Sequence, residues 1–165
     1  MANTAHAIRH LCTSPDQVIV TLDADDSLIG CRVLDRLAEE YDRGADLTVG
    51  SMLRTDKRAD YPVCLKAPRR NRGGNVWQHL RSFRKGLFDG LPDAVLRLDG
   101  TYVDLATDWA FMLPMVEAAQ HLVWIREALY LHEPGEARDP ARVMAREEII
   151  AALIIRDVNS AEWIA

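Results

Sequence analysis

The stretch Val18–Leu28, VIVTLDADDSL, constrains this chain most, because a short apolar run breaks into three carboxylates within four positions, Asp23, Asp25 and Asp26. Val18, Ile19, Val20 and Leu22 are β-rich and bounded by polar residues, the pattern of a buried strand. Such a strand delivers its last residues to the edge of the sheet where open α/β folds bind ligands. Like charges gathered there raise one another's pKa and resist burial. A divalent Mg²⁺ or Mn²⁺ resolves that conflict, since these ions take hard oxygen ligands and share them with phosphates. A loop start with a helix cap accounts well for one Asp and poorly for three. The expectation is a metal–phosphate site.

The chain of 165 residues suits one domain with a proper core. Its 48% hydrophobic and 27% charged residues are ordinary for a soluble globular protein, and a net charge of −5 argues against a general nucleic-acid binder. Cys12, Cys31 and Cys64 are widely spaced and show no paired metal spacing, so reduced thiols in a cytosolic protein are expected. Neither a signal-peptide core nor a membrane-length apolar run is present, which fits a cytoplasmic location. The charge is uneven: ten of the twenty Lys and Arg residues fall between Arg54 and Lys85, opposed only by Asp56 and Asp60. Such a segment can hold an anionic ligand, although solvated loop charges are the commoner explanation.

Periodicity fills in the rest. Ala5, Ile8 and Leu11 share a face of a short helix over 2–12. Val33, Leu34, Leu37, Ala38 and Tyr41 mark a second helix ending at Arg43–Gly44, and Leu47, Val49, Met52 and Leu53 suggest a second strand. The long stretch 54–74 shows no clear element and reads as a lid or binding loop. Asn75 is placed to cap a helix to about Leu91, with Val76, Leu80, Phe83 and Leu87 as its stripe. Val95, Leu96 and Leu98 suggest a short strand, followed by an Asp99–Gly100 turn and a return through Tyr102–Val103. A helix over 107–119 contains Pro114, which is expected to bend it. Residues 122–131 read as a strand. Asp139–Pro140 opens a last helix with Val143, Met144, Ile150, Leu153 and Ile154 on its apolar face.

Taken in order, VIVTLDADDSL, NVWQHLRSFRKGLF and TDWAFMLPMVE resemble a family-2 glycosyltransferase with the GT-A fold, from the first helix to His132. Each short motif is weak alone; the ordered set is stronger. The resemblance implies an α/β fold, a partial Rossmann-like GT-A domain with a mixed sheet flanked by helices. Residues 1–135 would be the C-terminal portion of that domain, and 136–165 a helical extension. It also implies metal-dependent, inverting transfer of a sugar from a nucleotide-diphosphate donor to a hydroxyl acceptor, with Mn²⁺ or Mg²⁺. Asp25 would ligate the metal, and Asp23 would contact the donor ribose or assist the metal. Asp26 would lie behind them or cap a helix. Asp108 would be the base. His132 would contact phosphate or metal, and Arg69, Arg70 and Arg72 would approach the donor from a closing loop.

Several of these positions have blander readings. An Asp in a first helical turn is favoured by the helix dipole alone, and many family members carry an acidic residue where this chain has Thr107. Trp109 suits either sugar stacking or the core, while Gln78, His79 and Arg81 are equal candidates for the acceptor groove. Only about sixteen residues precede the acidic strand, so the βα units that bind the nucleotide base in a GT-A domain are not represented. That implies a fragment, a truncated gene product, or a subunit completed by another chain, with a homo-oligomer or a complementing N-terminal chain as partner.

Two other readings compete. DADDSL also fits the DxDx[ST]L motif of a haloacid-dehalogenase-like phosphatase. Asp23 would then be nucleophile and Asp25 acid/base, with Ser51, Lys66 or Lys85, Asp99 and Asp104 in support. The third is a non-catalytic remnant that binds a nucleotide, a sugar or a partner protein.

Overall fold

A computed structural model describes residues 1–58, 63, 65–70, 77–135 and 139–156. Its centre is a mixed five-stranded sheet in the order β1-β4-β3-β7-β2, flanked by helices as a partial Rossmann-like domain. Strand β3 (Leu47–Arg54) lies in the middle and is buried along most of its length. It runs antiparallel to β4 (Arg81–Arg84) and parallel to β7 (Leu122–His132). The acidic strand β1 (Val18–Thr21) is an edge strand paired with β4, and β2 (Ser27–Leu28) closes the other edge on β7. A parallel pair needs a long crossover, and the stretch between β3 and β7 carries β4, α3 (Lys85–Asp89), the small hairpin β5–β6 (Arg97–Leu98, Thr101–Tyr102) and α4 (Thr107–Ala118).

The two faces of the sheet are packed differently. On one, α2 (Val33–Asp42) sets Val33 and Leu37 against Met52, Leu80, Ile125, Leu129 and Tyr130. The same helix sends Tyr41 into the sheet, where its hydroxyl lies 2.9 Å from Ser82 Oγ, itself 2.6 Å from Thr48 Oγ1. Burial pushes the Tyr41 hydroxyl up to about 12, so it stays a neutral partner in that chain. Against the other face pack α1 (Ala2–His6) with its π-helical continuation, then α3, α4 and α5 (Pro140–Ile155). Helix α4 is apolar almost all round and accordingly buried, continuing through Pro114. Asp139 caps α5 by accepting from Ala141 N at 3.0 Å.

Several expectations need correction. Strand β1, expected to be buried, is an edge strand with Val18 exposed and the rest only half-buried, Leu22 and Leu11 are exposed, and Val95 and Leu96 lie in a 3₁₀ turn (Asp93–Leu96) ahead of β5. The helix expected over 75–91 is instead β4 followed by the five-residue α3; Asn75 and Val76 lie outside the described residues. Strand pairing on both sides, with β1 and β3, outweighs the local four-residue spacing. On α5 only Ile150, Leu153 and Ile154 are buried, while Val143 and Met144 are exposed. On α2, Leu34 and Ala38 face outward. Among the described residues no helix is long and apolar enough to cross a membrane. Cys12 and Cys31 are free thiols, and Cys64 lies outside the described residues.

One glycine positions the site. A Cβ at Gly50 would stand 2.5 Å from Leu80 N and 3.1 Å from the His79 carbonyl carbon and oxygen. The 79–80 backbone therefore lies directly on β3, and only glycine permits that approach.

Candidate functional site

A cleft of about 570 Å³ opens where β1 ends, bounded by residues 77–81, the first turn of α4, the end of β7 and one residue of α5. Asp23, Gln78, His79, Arg81, Asp108, Trp109 and His132 all line it, although they come from distant parts of the chain. The alternation of β4 explains how Arg81 arrives there. Arg81 and Phe83 share the face turned to α4, while Ser82 and Arg84 turn to α2.

The turn after β1 splits its three carboxylates into different roles. Asp26 is the buried one, with its side chain 1% exposed. It accepts from Tyr130 Oη at 2.5 Å, from His132 Nδ1 at 3.1 Å and from Glu133 N at 2.8 Å. Burial pushes its carboxyl up, but those three donors outweigh burial and hold it below the ordinary range. Asp26 thus ties the acidic turn to β7, and it leaves His132 Nε2 as the ring nitrogen not engaged by Asp26. Asp23 is half-exposed; burial raises its carboxyl, Arg81 opposes that rise, and Asp26, Asp25 and Asp108 add to it. Asp25 is exposed and has no hydrogen-bond partner among the described residues.

His79 sits deeper, 8% exposed and stacked on Tyr130 with ring centroids 4.5 Å apart. Burial, then the Arg81 cation, push its pKa down to about 3, so the ring is neutral. Arg81 Nη2 lies 2.7 Å from His79 Nε2. A guanidinium only donates, so Nε2 accepts and the ring proton resides on Nδ1. The 3.4 Å approach of Asp23 Oδ2 to the same nitrogen is then not a hydrogen bond. His79 Nδ1 is buried without a partner among the described residues, as is Trp77 Nε1. Arg81 also donates from Nε to Trp77 O at 2.9 Å. Asp108, in the first turn of α4, faces Arg81 Nη2 at 3.5 Å and Arg146 Nη2 at 3.6 Å.

The loop arginines are placed elsewhere. Arg69 grips Glu117 with Nε and Nη2 at 2.6 and 2.8 Å and donates to the carbonyls of Leu153, Ile154 and Arg156. It clasps α4 to the C-terminal end of α5 and is not among the residues lining the cleft. Arg70 is exposed and also outside the lining; Arg72 lies outside the described residues. The phosphatase scheme finds no assembled site. Ser51 donates to Ile125 O at 3.2 Å and accepts from Trp124 Nε1 at 3.1 Å, filling a bulge between β3 and β7. Lys85 pairs with Asp89, and neither Ser51, Lys85, Asp99 nor Asp104 lines the cleft. Arg146 is a charged cleft residue that the sequence did not single out.

No group of three His, Cys, Asp or Glu side chains among the described residues is arranged to hold a metal ion. A cation here would need oxygens from a ligand to complete its shell. Mg²⁺ is commonly held that way, by one or two carboxylates with phosphates and water; of the exposed pair, Asp23 lines the cleft and Asp25 does not.

No protein-family model and no curated protein matches the chain. Among solved structures, residues 1–349 of Staphylococcus aureus TarS align over 88% of this chain and 43% of that one, with TM-score 0.52 and 15% identity. The chain has the fold of that part of TarS. The same piece of TarS has been solved in complex with UDP, again at TM-score 0.52. Against the longer TarS structure the TM-score is 0.51, with 26% of that chain covered. This chain thus spans less than half the length of the structures it resembles.

Proposed function

We propose that the chain is part of a metal-dependent, inverting glycosyltransferase that takes a nucleotide-diphosphate sugar and a hydroxyl acceptor. The observation that carries this reading is the meeting of Asp23, just past the end of β1, with Asp108 and His132 at one cleft. The supporting likeness is to TarS, a glycosyltransferase solved with UDP. In this reading Asp25 holds the cation, Asp23 assists from the donor side, and His132 offers Nε2 toward the diphosphate or the cation. A bound divalent cation supplies neutralising charge for the departing diphosphate, an interaction stronger in the transition state than in the bound donor. Asp108 takes the proton of the acceptor hydroxyl as it attacks the anomeric carbon from the face opposite the leaving group. That geometry inverts the anomeric centre.

Consumption of UDP-sugars in Mn²⁺ with a panel of hydroxyl acceptors tests the reading. Turnover abolished in Asp108→Asn, with UDP binding retained, is the expected result. Native protein that binds UDP without any turnover would make the chain a nucleotide-binding remnant instead.

A further inference from the structure

Much of the basic segment singled out in the sequence is spent inside the fold. Arg54 pairs with Asp56, Arg69 with Glu117, and Lys85 with Asp89, while Arg84 donates to the Tyr41 carbonyl. Arg81 instead reaches the cleft, where it meets Arg146 of α5. Both guanidinium groups face one oxygen, Asp108 Oδ2, at 3.5 and 3.6 Å, and neither makes a hydrogen bond to it. Among the described residues Arg146 has no hydrogen bond at all; its second ion pair is with exposed Glu147 at 3.6 Å.

At this end of the cleft two guanidinium groups converge on Asp108, with Asp23 and exposed Glu147 the other carboxylates near them, and guanidinium N–H donors are left without a hydrogen-bond acceptor among the described residues. A neutral hydroxyl compound does not match those charged donors. An oxyanion does, because a guanidinium fork matches the paired oxygens of phosphate or carboxylate. We propose that Arg81 and Arg146 form an oxyanion subsite beside Asp108, and that the acceptor substrate carries the phosphate or carboxylate it binds. The proposal rests on the glycosyltransferase reading: Asp108 faces the acceptor, and the donor's diphosphate belongs to the Asp23–Asp26 turn. The arginine pair is then available for a second anion.

The test is calorimetric titration of the intact chain with inorganic phosphate and, separately, with UDP in Mn²⁺, comparing native protein with Arg146→Gln and Arg146→Lys. Phosphate binding should weaken by roughly tenfold or more in Arg146→Gln, the loss expected for a charge-assisted contact. Arg146→Lys should recover part of it, while UDP binding stays unchanged in both. An unaltered thermal midpoint would show that the variants fold. Native protein that ignores phosphate, or Arg146→Gln that binds it as well as native, overturns the subsite. UDP binding that weakens in parallel with phosphate puts the anion on the donor and overturns the acceptor assignment. Arg146-dependent phosphate binding without any UDP binding sinks the donor reading and keeps the oxyanion subsite.

Discussion

Replacing Gly50 with alanine tests how the 77–81 segment is seated. The added Cβ would stand 2.5 Å from Leu80 N and 3.1 Å from two His79 carbonyl atoms, all of them backbone. No side-chain rotamer relieves contacts of that kind, so backbone must move. Strand β3 is held by β4 on one side and β7 on the other, which leaves the 79–80 segment to yield. Overpacking of this type costs about 1–3 kcal/mol. In a chain of this size that lowers Tm by about 2–12 °C. The same shift carries His79 and Arg81 away from Asp108, so phosphate binding should weaken together with stability. Gly135→Ala is the control, because a Cβ there meets nothing within 4 Å. Thermal unfolding followed by circular dichroism, paired with the phosphate titration, reads both effects. A Gly50→Ala protein that melts with the Gly135→Ala control would refute the close approach.

Asp26→Asn removes the charge that three donors converge on, and should cost about 1.5–3 kcal/mol at neutral pH. Because the folded carboxyl is held below its ordinary range, its stabilisation is fully present above the ordinary carboxylate pKa. It is lost as pH falls through the depressed folded value. Urea unfolding across an acid pH series should show a shallower decline for the variant. Arg69→Ala should lower Tm, since it frees Glu117 and three carbonyls of the α5 end, yet leave UDP binding unchanged. Weakened UDP binding at unchanged Tm would return Arg69 to the donor site. His79, with its pKa pushed to about 3, should keep the NMR signature of a neutral imidazole from neutral pH down to about 4. The unfolded chain takes up that proton near the ordinary histidine value, so this group makes stability fall as pH drops below it. A His79 midpoint near the ordinary value would contradict its burial.

The sequence carried the local signals well and the long-range ones poorly. The run ending at Asp23, the buried helix beginning at Thr107 and the Asp139–Pro140 helix start are all written within a few neighbouring residues, and the corresponding elements are present. Strand β4 is different. Its four residues are fixed by ladders to β1 and β3, more than thirty positions away, while Phe83 and Leu87 satisfy a helical spacing equally well. The site divides the same way. Asp23, Asp108 and His132 were singled out by their positions at element ends, and all three line one cleft. Asp26 could not be assigned from sequence because its partners Tyr130, His132 and Glu133 lie about a hundred positions downstream. Arg146 sits on a helix face with ordinary surface composition, and only the packing of α5 brings it to Asp108. Arg69 shows the reverse case, a loop cation that suggested phosphate and is held by a helix end.

The measurement closest to the functional claim is titration of the intact chain with UDP in Mn²⁺ and again in chelator, for native protein and Asp25→Ala. The glycosyltransferase reading predicts binding that requires the metal and disappears in Asp25→Ala while the fold persists. A folded native chain that does not bind UDP, or one that binds it equally well in chelator and with Asp25→Ala, would contradict that reading.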